Sequence, residues 1–84
     1  MESLSSLPNI GKVLEKNLNK IGIYTKEQLV QMGSEEVFIR IRLLADSGAC
    51  LHMLYGIQGA IENIRYTQLA EETKQELKEF YKGL

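Results

Sequence analysis

Three lysines are the side chains best placed to act on a common ligand. Lys12, Lys16 and Lys20 recur at intervals of four directly after the turn Leu7-Pro8-Asn9-Ile10-Gly11-Lys12, and on a helix that spacing stacks them along one face. Cations behind a glycine-containing turn suit phosphate, because backbone N–H groups at a helix start and the helix dipole both favour an anion. Lys12, Lys16 and Lys20 therefore form a candidate anion-contacting face. The other reactive side chains do not converge. Cys50 and His52 lie two apart, about 200° around a helix, so they cannot share a metal. No second histidine exists to serve as a base for Cys50 or for a serine. Glu35-Glu36 and Glu71-Glu72 diverge as sequence neighbours; cap and dipole roles account for the first pair, a solvated face for the second. Arg40, Arg42 and Arg65 could line a basic patch, but a charged rim around the core is the plainer reading. Acid–base or nucleophilic catalysis needs convergent titratable groups. None are apparent, so a non-enzymatic protein without metal or cofactor is expected.

Composition limits the ligand classes. Ten basic residues against eleven acidic give a formal net charge of −1, whereas nucleic-acid binders usually carry a basic excess. A single cysteine excludes an internal disulfide and a thiolate zinc site. No basic-then-apolar leader opens the sequence, and no apolar run approaches the roughly 20 residues that span a bilayer. A cytoplasmic protein with no membrane partner is expected. At 84 residues the chain reads as one domain, 1–84, with one small core.

The elements that must position the lysines read as helices throughout. Ile10, Val13, Leu14, Leu18 and Ile21 form an apolar stripe, ended at Gly22. Thr25-Lys26-Glu27-Gln28 fits a capping box, with Tyr24 and Leu29 as its hydrophobic staple. Gly33 closes that helix and Ser34 is read as the cap of the next, with Glu35 and Glu36 in its first turn. Ile39-Arg40-Ile41-Arg42-Leu43 alternates like a strand, but no partner strand exists, so a helix running to Asp46 is expected. After Asp46-Ser47-Gly48, a fourth helix carries Leu51, Leu54, Tyr55, Ile57, Ile61 and Ile64 and should be the most buried. Its interior Gly56 and Gly59 each cost about 1 kcal/mol relative to alanine, which points to another helix crossing there at close range. Arg65 to Leu69 is a bridge. A last helix, about Ala70 to Lys82, should bury Leu77, Phe80 and Leu84. The fold class expected is all-α, a bundle of about five short helices.

The turn followed by Ile21-Gly22-Ile23-Tyr24-Thr25 resembles the helix-hairpin-helix element, whose Gly-rich turn points N–H groups at a DNA phosphate. The likeness implies a helix-hairpin-helix/SAM-like arrangement and a nucleic-acid-binding set of Asn9, Ile10, Gly11, Lys12, Lys16 and Lys20. Asn9 stands where that element has its first glycine, and asparagine tolerates unusual backbone geometry better than most residues. Only Met1 to Ser6 precede the turn, so the motif's first helix is expected to be at best one turn long, and packing of the turn against the domain competes with phosphate binding as its role. Pro8-Asn9-Ile10-Gly11-Lys12 is also similar to the turn in the C-terminal domain of the bacterial RNA polymerase α subunit, over the first third of the chain only.

A wider resemblance spans nearly the whole chain. Leu7 to Lys12, Leu18, Ile21 to Thr25, Leu29 and Gly33 are followed by Leu51-His52-Met53-Leu54-Tyr55-Gly56-Ile57-Gln58-Gly59-Ala60-Ile61 and Arg65-Tyr66-Thr67-Gln68-Leu69. Together they look like the C-terminal domain of the TfoX/Sxy family, bacterial regulators of natural competence. Family members usually place Ala at 56 and Trp at 66; this sequence has Gly56 and Tyr66. The resemblance implies a small helical domain in transcriptional control, standing alone without the N-terminal domain of full-length members. It implies a protein partner, either transcription machinery or a TfoX N-terminal-like domain. The alternative is weak, sequence-independent DNA binding through the turn. A small marginal core also allows completion by a second copy as a homodimer. The protein-binding reading expects an exposed apolar patch; the DNA reading expects steep salt dependence.

Overall fold

The helix boundaries fall close to the local signals, and the exceptions are informative. The computed structural model describes residues 3–84. A 3-10 turn at Leu4–Ser6 leads into α1 (Lys12–Lys20), α2 (Lys26–Met32), α3 (Ser34–Leu44) and α4 (Leu51–Glu62); a second 3-10 turn at Tyr66–Gln68 precedes α5 (Glu71–Lys82). No strand occurs among the described residues, so the Ile39–Leu43 alternation is helical. The Cα radius of gyration is 11.6 Å, matching the roughly 12 Å of a compact chain this long.

At α2 the capping box is complete: Gln28 N–H donates to Thr25 Oγ1 at 3.2 Å, and Thr25 N–H donates to Gln28 Oε1 at 3.1 Å. The staple is not. Leu29 is fully buried but Tyr24 is 61% exposed. Ser34 does not cap α3. One residue, Gly33, separates α2 from α3 and serves as C-cap of the first and N-cap of the second at φ +84°, ψ 153°, a conformation only glycine adopts readily. Ser34 is thereby drawn into the first helical turn and buried, and its hydroxyl donates instead to Gln58 Oε1 at 2.6 Å.

The core closes around α4, whose Leu54, Ile57 and Ala60 meet Leu18, Ile23, Leu29, Val37, Phe38 and Ile41. Val13 is not part of the buried stripe: α1 buries Leu14, Asn17 and Leu18, and Val13, off the edge of that face, is 74% exposed. The third helix ends at Leu44, two residues short of the expected Asp46, and Leu84 lies beyond α5 at 52% exposure. On α5, Leu77 is buried and Tyr81 stacks at a tilt on Phe38, ring centroids 5.9 Å apart. Arg42 covers both rings at 5.8 and 5.7 Å, a cation–π contact, while Arg40 Nε donates to Glu36 at 2.9 Å. Two of the three arginines therefore have their own partners.

Candidate functional site

The residues of the N-terminal turn divide between inside and outside. Asn9 takes φ +69°, the left-handed region that asparagine tolerates and that the missing glycine would have occupied. Its side chain turns inward. Nδ2 donates to Ile64 O at 2.9 Å and to Gly56 O at 3.3 Å, and Oδ1 accepts the Tyr66 N–H at 3.0 Å. One amide thus ties the turn to the end of α4 and to the chain leaving it. Ile10 is 5% exposed and belongs to the core. Gly11 is the N-cap of α1 and lies on the surface. Lys12, Lys16 and Lys20 are exposed on α1, and none forms an ion pair among the described residues. Between them Glu15 is half-buried; its carboxylate accepts from the Ser3 hydroxyl and from Ser5 N–H at 3.2 Å. The structure therefore assembles Gly11 and the three lysines outward, but gives Asn9 and Ile10 to the fold.

Of the two interior glycines of α4, Gly59 is explained by this lock rather than by a crossing helix. A Cβ at Gly59 would sit 2.5 Å from Asn9 Nδ2 and 2.8 Å from Ile64 O. Only the absence of a side chain admits the asparagine. At Gly56 a Cβ would meet Asn9 Cβ at 3.4 Å, an ordinary contact. Sequence reading missed the partnership, although an asparagine in a glycine position and two glycines three apart were the two halves of its signal.

The His52 ring lies edge-on to Tyr55 and Tyr66, at centroid distances of 6.4 and 6.1 Å, and Cys50 is an exposed N-cap of α4. No group of three or more metal-ligating side chains occurs among the described residues, and no helix among them is long and apolar enough to cross a membrane.

Two surface regions were not anticipated. At the end of α3, Leu43 and Leu44 are 77% and 68% exposed. At the other end of α3 a groove of about 560 Å³ runs between the α2–α3 junction and α5, with Gln58 of α4 at its side.

Among the described residues, five α-helices, a glycine-capped turn and an asparagine lock make up a small helical module. More particularly, the chain belongs to the TfoX C-terminal domain family, whose model matches residues 1–81. It is similar to an uncharacterized protein from Listeria monocytogenes solved in a triclinic crystal form: 48% identity, TM-score 0.94, covering 98% of this chain and 92% of that one. A protein of unknown function from the same organism, in a tetragonal form, shares 49% identity at TM-score 0.91 over 95% of this chain and 96% of that one. No curated protein matches the chain.

Proposed function

We propose that this domain is a non-enzymatic interaction module in transcriptional control, resembling the C-terminal domain of bacterial competence regulators and acting through protein–protein contacts. The observation that carries the reading is the Leu43–Leu44 pair. Two adjacent large aliphatic side chains stand 77% and 68% exposed at the end of α3, while Val37, Phe38 and Ile41 of the same helix are fully buried. Covering such a pair removes apolar surface from water at about 25 cal/mol per Å², and a partner protein is the usual cover. The test is crosslinking in the native cytoplasm with wild type and the variant Leu43→Glu/Leu44→Glu. A specific adduct lost in the variant supports the reading; an unchanged adduct pattern, or none, defeats it.

A second reading, weak and sequence-independent DNA binding, is favoured by one observation: Lys12, Lys16 and Lys20 are exposed and bound by no carboxylate among the described residues. Each phosphate neutralised adds about 0.9 to the slope of log K against log salt for duplex DNA. Three contacts would give a slope near −3, and Lys12→Glu would abolish binding. No shift of duplex DNA at low salt and high protein concentration rules this reading out.

A further inference from the structure

We propose that the groove between the start of α3 and α5 is a second docking surface, and that its occupant is a basic amphipathic segment of a partner protein: one large apolar side chain flanked by lysines or arginines. The proposal rests on the interaction reading above but concerns a different face.

The groove has an apolar floor and an acidic rim. Met32, Ile39 and Phe80 are half-buried along it and Leu77 is buried beneath. These side chains are withdrawn from water on one side only, which is how an anchor site differs from a finished core. Its volume of about 560 Å³ lies within the range of pockets that accept a compact apolar group. Two polar groups beside the floor are already engaged: Ser34 Oγ donates to Gln58 Oε1 at 2.6 Å, and Gln58 Nε2 donates to Glu62 at 2.7 Å. Selection therefore falls mainly to the apolar anchor and the rim charges, with the Thr73 hydroxyl as the further polar group along the groove.

The rim carries Glu35, Glu36 and Glu76, and no lysine or arginine lines the groove. Glu35 and Glu76 form no ion pair among the described residues, and Glu36 holds only Arg40, in a pair about half exposed on both sides. Such a pair exchanges partners at little cost. Carboxylates gathered around a low-dielectric floor focus a negative potential outward. That potential repels nucleic acid and anionic segments and selects a cationic one, with a stronger effect on specificity and association rate than on affinity itself.

The test is an NMR titration of the 15N-labelled domain with a synthetic amphipathic leucine–lysine peptide, with a leucine–glutamate peptide as control and sedimentation of the domain alone alongside. The expected result is that the leucine–lysine peptide shifts amides over 32–39 and 73–80, that the control does not, and that Glu35→Lys/Glu76→Lys weakens binding at least tenfold while keeping a folded spectrum. The proposal is overturned by an absence of shifts, by equal binding of both peptides, or by insensitivity to the double variant. It is also overturned if shifts centre on Leu43–Leu44, an outcome that leaves the interaction reading standing. Self-association of the domain, removed by the same variant and by Lys16→Glu, would instead assign the groove to the Lys12-Val13-Lys16 face of a second copy.

Discussion

Two sides of α4 handle polar groups in opposite ways. Along Gly56 and Gly59 the helix admits Asn9, and both ends of its amide find partners at 2.9 to 3.3 Å. Beside Gln58 the same helix borders a groove whose Glu35 and Glu76 find no ionic partner among the described residues. The first region resembles a ligand-binding motif in sequence, yet two of its six candidate residues are committed to holding the fold. The second carries no motif and leaves its charges available. A motif marks where backbone geometry is constrained; it does not by itself mark where a ligand sits.

The contrast can be broken most forcefully at Asn9. Asn9→Ala removes three hydrogen bonds, leaves the Ile64 carbonyl and the Tyr66 N–H without their partner, and places alanine, which lacks the local hydrogen bonding of asparagine, in the left-handed region. A loss of about 3 kcal/mol is expected, a fall in melting temperature of well over 10 °C for a domain this size. Thermal and urea unfolding would measure it. A loss under about 0.5 kcal/mol would mean the lock contributes nothing.

A smaller effect is expected at Gly59. The new methyl group of Gly59→Ala meets Asn9 Nδ2 and Ile64 O at 2.5 and 2.8 Å, and overpacking outweighs the gain in helix propensity, for a net cost of about 1–2 kcal/mol. Gly56→Ala goes the other way. Its methyl group reaches Asn9 Cβ only at 3.4 Å, so the propensity term dominates and a gain of about 0.5 kcal/mol is expected. Equal effects at 56 and 59, measured by urea unfolding of both variants, would show that close approach does not set the glycine pattern.

The smallest effect belongs to the groove. Reversing Glu76 alone should change stability by less than about 0.5 kcal/mol, since an exposed charge without a partner holds nothing in place, whereas Glu35→Lys also loses the interaction with the dipole at the start of α3, about 0.3–1 kcal/mol. A large destabilisation in the same unfolding assay would make the rim structural and remove the contrast with the turn.

What could be read from the sequence follows the range of the interaction. The Thr25–Gln28 capping box closes within four residues, and the α2 start is legible for that reason. Gly33 was legible as a stop because its conformational demand is local. Asn9 was not, because its partners lie 47, 55 and 57 residues away, and nothing in a turn of six residues announces them. Ser34 shows a tertiary contact overriding a local rule: its hydroxyl reaches Gln58, 24 residues on, where propensity placed it as a cap. Val13 shows the limit of periodicity. A step of three from Ile10 fits the stripe, but α1 buries Leu14, Asn17 and Leu18, and a polar Asn17 holds the position that a purely apolar count would not choose. The groove was invisible for a related reason, since Met32, Ile39 and Phe80 lie on three separate helices and no local pattern joins them.

The lock itself is tested most directly by a double-mutant cycle between Asn9→Ala and Gly59→Ala, read by equilibrium urea unfolding. If the asparagine amide fills the space that glycine leaves, removing it relieves part of the clash. The double variant should then be more stable than the sum of the single losses implies, by about 1 kcal/mol. Strict additivity of the two losses would contradict the account.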